Sequence, residues 1–182
     1  MNRKEFIKKA CQVGVASGAT FLIAESDGCC ALPSEQEEPS VSKKEKFTQD
    51  WIRTLMNHMD SQLDEGSRIQ LMELSGRACA RQGAVNAAKA CKGDLDKFLL
   101  TMRKWVGQDN VRRDGNKIHL SYSKCLCPLV QSGSEKLSDT YCNCSRGWVK
   151  EMYETVLGKP VDVQLTESIK RGGEACRFIV RI

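Results

Sequence analysis

The stretch DGNKIHLSYSKCLC, residues 114–127, decides the fold. Asp114-Gly115 is a hairpin turn signal, because a tight turn needs positive φ and glycine takes it without a steric penalty. Ile118, Leu120 and Tyr122 then alternate with His119, Ser121 and Ser123. A period of two places one set on a single face, so the segment reads as a half-buried strand. Val161, Val163 and Leu165 predict another strand, and Phe178 and Val180 a last one, with Arg171-Gly172-Gly173 turning the chain between them.

Upstream the period is helical. Phe47, Trp51, Leu55, Met59 and Leu63 recur every four residues and form the apolar face of a first amphipathic helix. A second helix is expected from Ser67 to about Arg81, with Ile69, Leu71, Met72 and Leu74 apolar, and an Ala-rich piece follows from Val85 to Cys91. Asp94 caps a helix with Leu95, Phe98, Leu99, Met102 and Trp105 inward, stopped by Gly107. Ser145 is the expected cap of one more helix, with Trp148, Met152 and Val156 on one face and Gly158 as its stop. Helices first and antiparallel strands later predict an α+β domain: N-terminal helices packed on a small antiparallel sheet, with one helix between the strands.

The chain has 182 residues, 41% hydrophobic and 28% charged, which excludes a disordered or collagen-like chain and a polytopic membrane protein. The net charge is +5 without Lys/Arg clustering, so no nucleic-acid partner is expected. Residues 1–30 read as an export signal. A charged start, Asn2-Arg3-Lys4-Glu5-Phe6-Ile7-Lys8-Lys9, precedes an apolar run from Ala10 to Ala24 that is short for a bilayer span. It resembles a twin-arginine translocation signal with Lys4 in place of the second arginine. The expectation is an exported protein, periplasmic or extracytoplasmic, with no transmembrane span in the mature chain; the alternative is a cytoplasmic one. Residues 31–46, with Pro33 and Pro39, have the composition of a disordered linker, leaving 47–182 as a single folded domain.

Ten cysteines are too few for a disulfide scaffold and too many for an ordinary cytosolic protein. Cys11, Cys29 and Cys30 belong to the signal region, and Cys79 and Cys91 sit on helical segments where a free cysteine packs as a small hydrophobe. Cys125-Leu126-Cys127 and Cys142-Asn143-Cys144 are two C-x-C pairs 14 residues apart. Two close pairs across a loop can bring four sulfurs to one tetrahedral ion, zinc above others. Disulfides and free thiols are the other two readings. A helix start at Ser145 would favour thiolate at Cys142 and Cys144, which serves metal binding or nucleophilic chemistry equally.

At these residues the chain resembles a known group. Met72-Glu73, Gly76-Arg77 and Cys79-Ala80, then Tyr122 and Cys125-Leu126-Cys127-Pro128, then Tyr141-Cys142 and Cys144-Ser145-Arg146-Gly147-Trp148, are similar to the L-2-amino-thiazoline-4-carboxylic acid hydrolase-like family. Leu157-Gly158-Lys159-Pro160-Val161 and Cys176-Arg177-Phe178 extend the likeness, which covers about residues 67–182. The C-terminal half also resembles the 4-vinyl reductase type of ligand-binding domain. That resemblance implies zinc held by cysteines and a glutamate beside a small-molecule pocket. Its first and last cysteine ligands fall on Cys142 and Cys176, while the other two fall near Leu165 and Ser168, which cannot ligate in their place. Cys125, Cys127 and Cys144 are the residues that remain to complete such a site.

Three functions follow. The first is a binding module with a structural cysteine-held metal and a small-molecule pocket between helices and sheet, with Glu73 and Arg77 as its polar anchors. The second is a hydrolase adding water to a C=N bond of a thiazoline-type cyclic amidine, with Cys79 or Cys142 as candidate nucleophile. His58 and His119 are more simply surface or core histidines, which leaves that reaction short of a base. The third is a thiol redox protein, although C-x-x-C in a βαβ setting is not present.

Overall fold

Ser42 opens the regular structure. Its hydroxyl accepts from the Glu45 amide while the Glu45 carboxylate accepts from the Ser42 amide, a reciprocal cap that starts helix α1, Lys43–Gln62. The computed structural model describes residues 42–131 and 136–182. The expected signal over 1–30 and the linker as far as residue 41 lie outside the described residues. Residues 43–46, assigned to linker by composition, belong to α1 because the cap satisfies the first-turn amides.

Asp64 caps α2, Glu65–Arg81, by accepting from the Ser67 amide. The short α3, Val85–Lys89, leads to α4, Leu95–Val106, which Asp94 caps as expected and Gly107 ends at φ 105°. Strands β1, Val111–Asp114, and β2, Lys117–Tyr122, form the hairpin that Asp114-Gly115 predicts, with Gly115 at φ 57°. Helix α5, Asn143–Leu157, stops at Gly158 in the left-handed region. Strands β3, Asp162–Glu167, and β4, Cys176–Arg181, complete a four-stranded sheet of order β1-β2-β4-β3 with every neighbour antiparallel. The fold is α+β.

The alternation read in β2 sorts its side chains as expected. Ile118, Leu120 and Tyr122 are buried with Val163, Phe178 and Val180, and they pack against Phe98, Leu99, Met102, Val149, Met152 and Tyr153 from α4 and α5. Burying side chains of this size contributes about 1.5–3 kcal/mol each, which makes this layer the main stabilising core. A smaller second cluster joins Ile52 and Met56 of α1 to Met72, Val130, Leu137 and Tyr141.

That second cluster corrects the reading of α1. Phe47, Trp51, Leu55 and Leu63, expected on its inner face, stand exposed, and the buried residues are Ile52 and Met56. The apolar arc of the helix is wider than the surface beneath it, and the chain covers only one edge. Leu71 and Leu74 of α2 are exposed for a similar reason: α2 turns Met72, Gly76 and Ala80 inward instead. Among the described residues no helix is long and apolar enough to cross a membrane.

Candidate functional site

Two glycines position the site. A Cβ on Gly76 of α2 would lie 1.8 Å from the Cys144 carbonyl oxygen, and one on Gly147 of α5 would lie 1.9 Å from the Glu73 carbonyl oxygen. Only glycine admits so close a backbone crossing. The crossing sets the start of α5, which carries Cys142 and Cys144, against the end of α2, which carries Cys79.

Ion pairs flank the crossing. Glu73 lies 2.7 Å from both Arg146 and Lys150, and Arg77 reaches Glu154 at 2.6 Å and Glu151 at 3.2 Å. Arg81 adds a 2.6 Å pair to Glu151. Glu73, Arg77 and Arg81 follow at four-residue spacing, so one face of α2 answers one face of α5. Glu73 and Arg77, expected as ligand anchors, are thus placed as helix-to-helix partners.

All seven described cysteines are free thiols. Six of them influence one another and fall into two linked trios, each C-x-C pair giving one residue to either, with Cys127 acting on Cys125 and Cys142 on Cys144 between them. Cys125, Cys142 and Cys176 form the first, where the Cys176 thiol acts on both of the others and Cys125 acts on Cys142. Ser168 donates to the Cys142 sulfur at 2.9 Å. Cys79, Cys127 and Cys144 form the second, beside Tyr141, whose hydroxyl lies 3.2 Å from the Cys127 sulfur.

Burial governs the protonation of these groups. It pushes the Cys142 thiol up to about 11, against the Ser168 hydrogen bond and the Arg171 charge that pull it down. It pushes Cys144 up to about 12, with the Cys127, Cys79 and Cys142 thiols adding to the rise. Cys125 is raised chiefly by burial as well. The expected thiolates at Cys142 and Cys144 are therefore corrected to thiols at neutral pH. Helix α5 begins at Asn143 rather than after Ser145, its cap residue is Cys142, and desolvation outweighs the helix end. Neither is an activated nucleophile as it stands.

The second trio opens on a cavity of about 360 Å³ between α2, α4, α5 and the loop after β2. Trp105 and Trp148, with ring centroids 6.4 Å apart, share its walls with Met102, Val106, Tyr122, Leu126 and Pro128. Cys79, Cys127, Cys144, Tyr141 and Ser145 supply its polar atoms. Burial raises the Tyr122 and Tyr141 hydroxyls far above the ordinary tyrosine range, and both stay neutral. Among the described residues that line it there is no carboxylate and no imidazole. His58 is exposed on α1, and His119 lies on β2 away from these walls.

Among the described residues no group of three or more Cys, His, Asp or Glu side chains is arranged to hold a metal ion. The four sulfurs expected to share one ion, Cys125, Cys127, Cys142 and Cys144, remain within electrostatic reach of one another, Cys127 acting on Cys125 and Cys142 on Cys144. Trp105 and Trp148 read as core in the sequence, because an aromatic at helical spacing packs inward by default, and the structure puts both on the cavity wall.

No curated protein matches the chain. Residues 35–182 match the model of a family described as Family of unknown function (DUF6144), and on a match of that extent the chain belongs to DUF6144.

Proposed function

We propose that the protein is a small-molecule-binding domain whose ligand lies in the cavity between α2, α4 and α5. The observation that carries this reading is the lining itself: about 360 Å³ walled by two tryptophans and aliphatic side chains, with a few polar groups among them. Binding sites are commonly concave, mostly apolar and supplied with a few convergent polar groups. The fitting ligand is planar and mainly apolar, with one polar end toward Tyr141 and Ser145. Catalysis has less support, since the described residues of the walls offer no carboxylate or imidazole to move a proton and Cys144 is held as a thiol. The thiazoline ring-opening implied by the family resemblance, with Cys79 as its nucleophile, stands as the alternative.

The test uses the full chain and the fluorescent probe anilinonaphthalene sulfonate. One equivalent should bind and quench tryptophan emission, and Val106→Trp, which fills the cavity from the end of α4, should weaken binding by about tenfold or more. An unchanged affinity in a folded Val106→Trp protein would sink the reading. Hydrolysis of a thiazoline carboxylate by the parent and not by Cys79→Ser would replace it with the enzyme.

A thiol-held zinc ion is the second reading, supported by the gathering of six cysteines in one neighbourhood. As placed they do not close on one ion, so binding requires the side chains after β2 to turn inward. Stoichiometric zinc in protein purified without chelator, lost in Cys142→Ser together with stability, is the expected result. A metal-free parent of full stability would remove it.

A further inference from the structure

Helix α1 leaves one apolar stripe open. Phe47, Trp51 and Leu55 follow at four-residue spacing and are 70%, 57% and 38% exposed, while the neighbouring Ile52 and Met56 are buried. Lys43 and Lys44, one turn before Phe47, and His58, three residues after Leu55, prolong the same stripe and are exposed. The acids of α1 are engaged elsewhere. Glu45 is held in the Ser42 cap, Asp50 pairs with Arg53 at 2.9 Å, and Asp60 takes Arg68 and the Thr140 hydroxyl. The stripe therefore has an apolar, aromatic centre and a cationic end at Lys43 and Lys44.

We propose that this stripe seats α1 on an anionic lipid surface, with Phe47, Trp51 and Leu55 entering the boundary between headgroups and acyl chains. Lys43 and Lys44 meet the lipid phosphates. Tryptophan, phenylalanine and leucine flanked by lysine are the composition of helices that lie in this interface. A second copy of the chain fits less well. Laid antiparallel about Trp51, it would leave Lys43 and Lys44 of each copy with no free carboxylate on the other's stripe to answer. Three side chains also offer only a few hundred Å² per copy, short of the roughly 800 Å² that a stable interface buries on each side.

The test is cosedimentation of the full chain with phosphatidylcholine vesicles containing about a quarter phosphatidylglycerol, against phosphatidylcholine alone. The parent should partition onto the anionic vesicles, and the combined variant Phe47→Ser, Trp51→Ser, Leu55→Ser should lose at least about tenfold of that affinity. All three positions are exposed, so its melting temperature should match the parent's, and residues 1–41, with the apolar run Ala10–Ala24, are unchanged in it. Equal binding by the variant would assign the affinity to residues 1–41 and overturn the proposal. So would a parent that ignores vesicles, including one that dimerises through the stripe in solution.

Discussion

A single methyl group is enough to test the helix crossing. Placed on Gly147 it would lie 1.9 Å from the Glu73 carbonyl oxygen and 2.6 Å from the Glu73 Cα, so relief requires backbone to move rather than a side chain to swing aside. Overpacking a core costs about 1–3 kcal/mol, and a rigid backbone neighbour puts Gly147→Ala at the upper end, about 3 kcal/mol. Gly76→Ala, 1.8 Å from the Cys144 carbonyl oxygen, should cost as much. Urea unfolding of the two variants measures this, and a loss below about 1 kcal/mol would mean that the helices part easily. The contrast is Gly83→Ala, where nothing lies within 4 Å of the added carbon and stability should hardly change. Sequence alone separates these glycines poorly. Gly107 and Gly158 announce themselves as helix stops by their place after a periodic run, whereas Gly76 and Gly147 sit inside helices and owe their necessity to each other's helix across a long loop. The same holds for Cys79 and Cys144, which only the crossing makes neighbours.

The ladder between α2 and α5 is a matter of whole elements, and it ties stability to acid pH. Arg81 and then Arg77 hold the Glu151 carboxyl below its ordinary 4.5 against a smaller opposing effect of burial. For Glu154 burial is the largest influence and raises it, but Arg77 and the Val161 amide together prevail and the carboxyl is lowered. A depressed carboxyl takes up its proton later in the folded chain than in the unfolded one. The stability it confers is therefore whole above about pH 4.5 and is lost as pH falls through the folded values. Replacing Arg77 by methionine keeps the volume but leaves part-buried Glu154 without its guanidinium, while Glu151 keeps Arg81, which should cost ~1.5–3 kcal/mol at neutral pH. In acid, as those carboxyls take up their protons in the parent too, the difference should shrink. Thermal melts at the two pH values check it, and a difference that persists in acid would show that Arg77 acts by packing alone. Elements themselves were largely legible: the α+β order, the hairpin at Asp114-Gly115 and the stops at Gly107 and Gly158 all follow from local pattern. What local pattern cannot supply is which part of a wide apolar arc meets the protein, and α1 shows the consequence. Phe47 and Trp51 satisfy the helical period as well as Ile52 and Met56 do, yet only the latter pair finds neighbours.

At the scale of the molecule, two unequal clusters imply two unequal stabilities. The larger joins α4, α5 and the sheet through fully buried side chains such as Phe98, Tyr153, Ile118 and Phe178. The smaller holds α1 through Ile52 and Met56, helped by Asp60, which accepts from the Thr140 hydroxyl at 2.6 Å and lies 3.2 Å from Arg68. Two buried aliphatic side chains contribute at most about 3–6 kcal/mol, an upper bound because the unfolded chain already hides part of its apolar surface. Local opening of α1 should thus cost less than global unfolding. In native-state hydrogen exchange of the full chain, amides of α1 should exchange well before those of α5, β2 and β4. Met56→Ala, which costs about 2–5 kcal/mol at a buried site, should quicken α1 much more than the sheet. The opening reaches the candidate site, because Val130 and Tyr141 lose the cover of α1 and Tyr141 contacts Cys127 on the cavity wall. Alkylation of Cys127 followed by mass spectrometry should therefore speed up in Met56→Ala while Cys91, buried in the main core, keeps its protection. Exchange of α1 in step with α5, or an unchanged Cys127, would mean that the two clusters open as one.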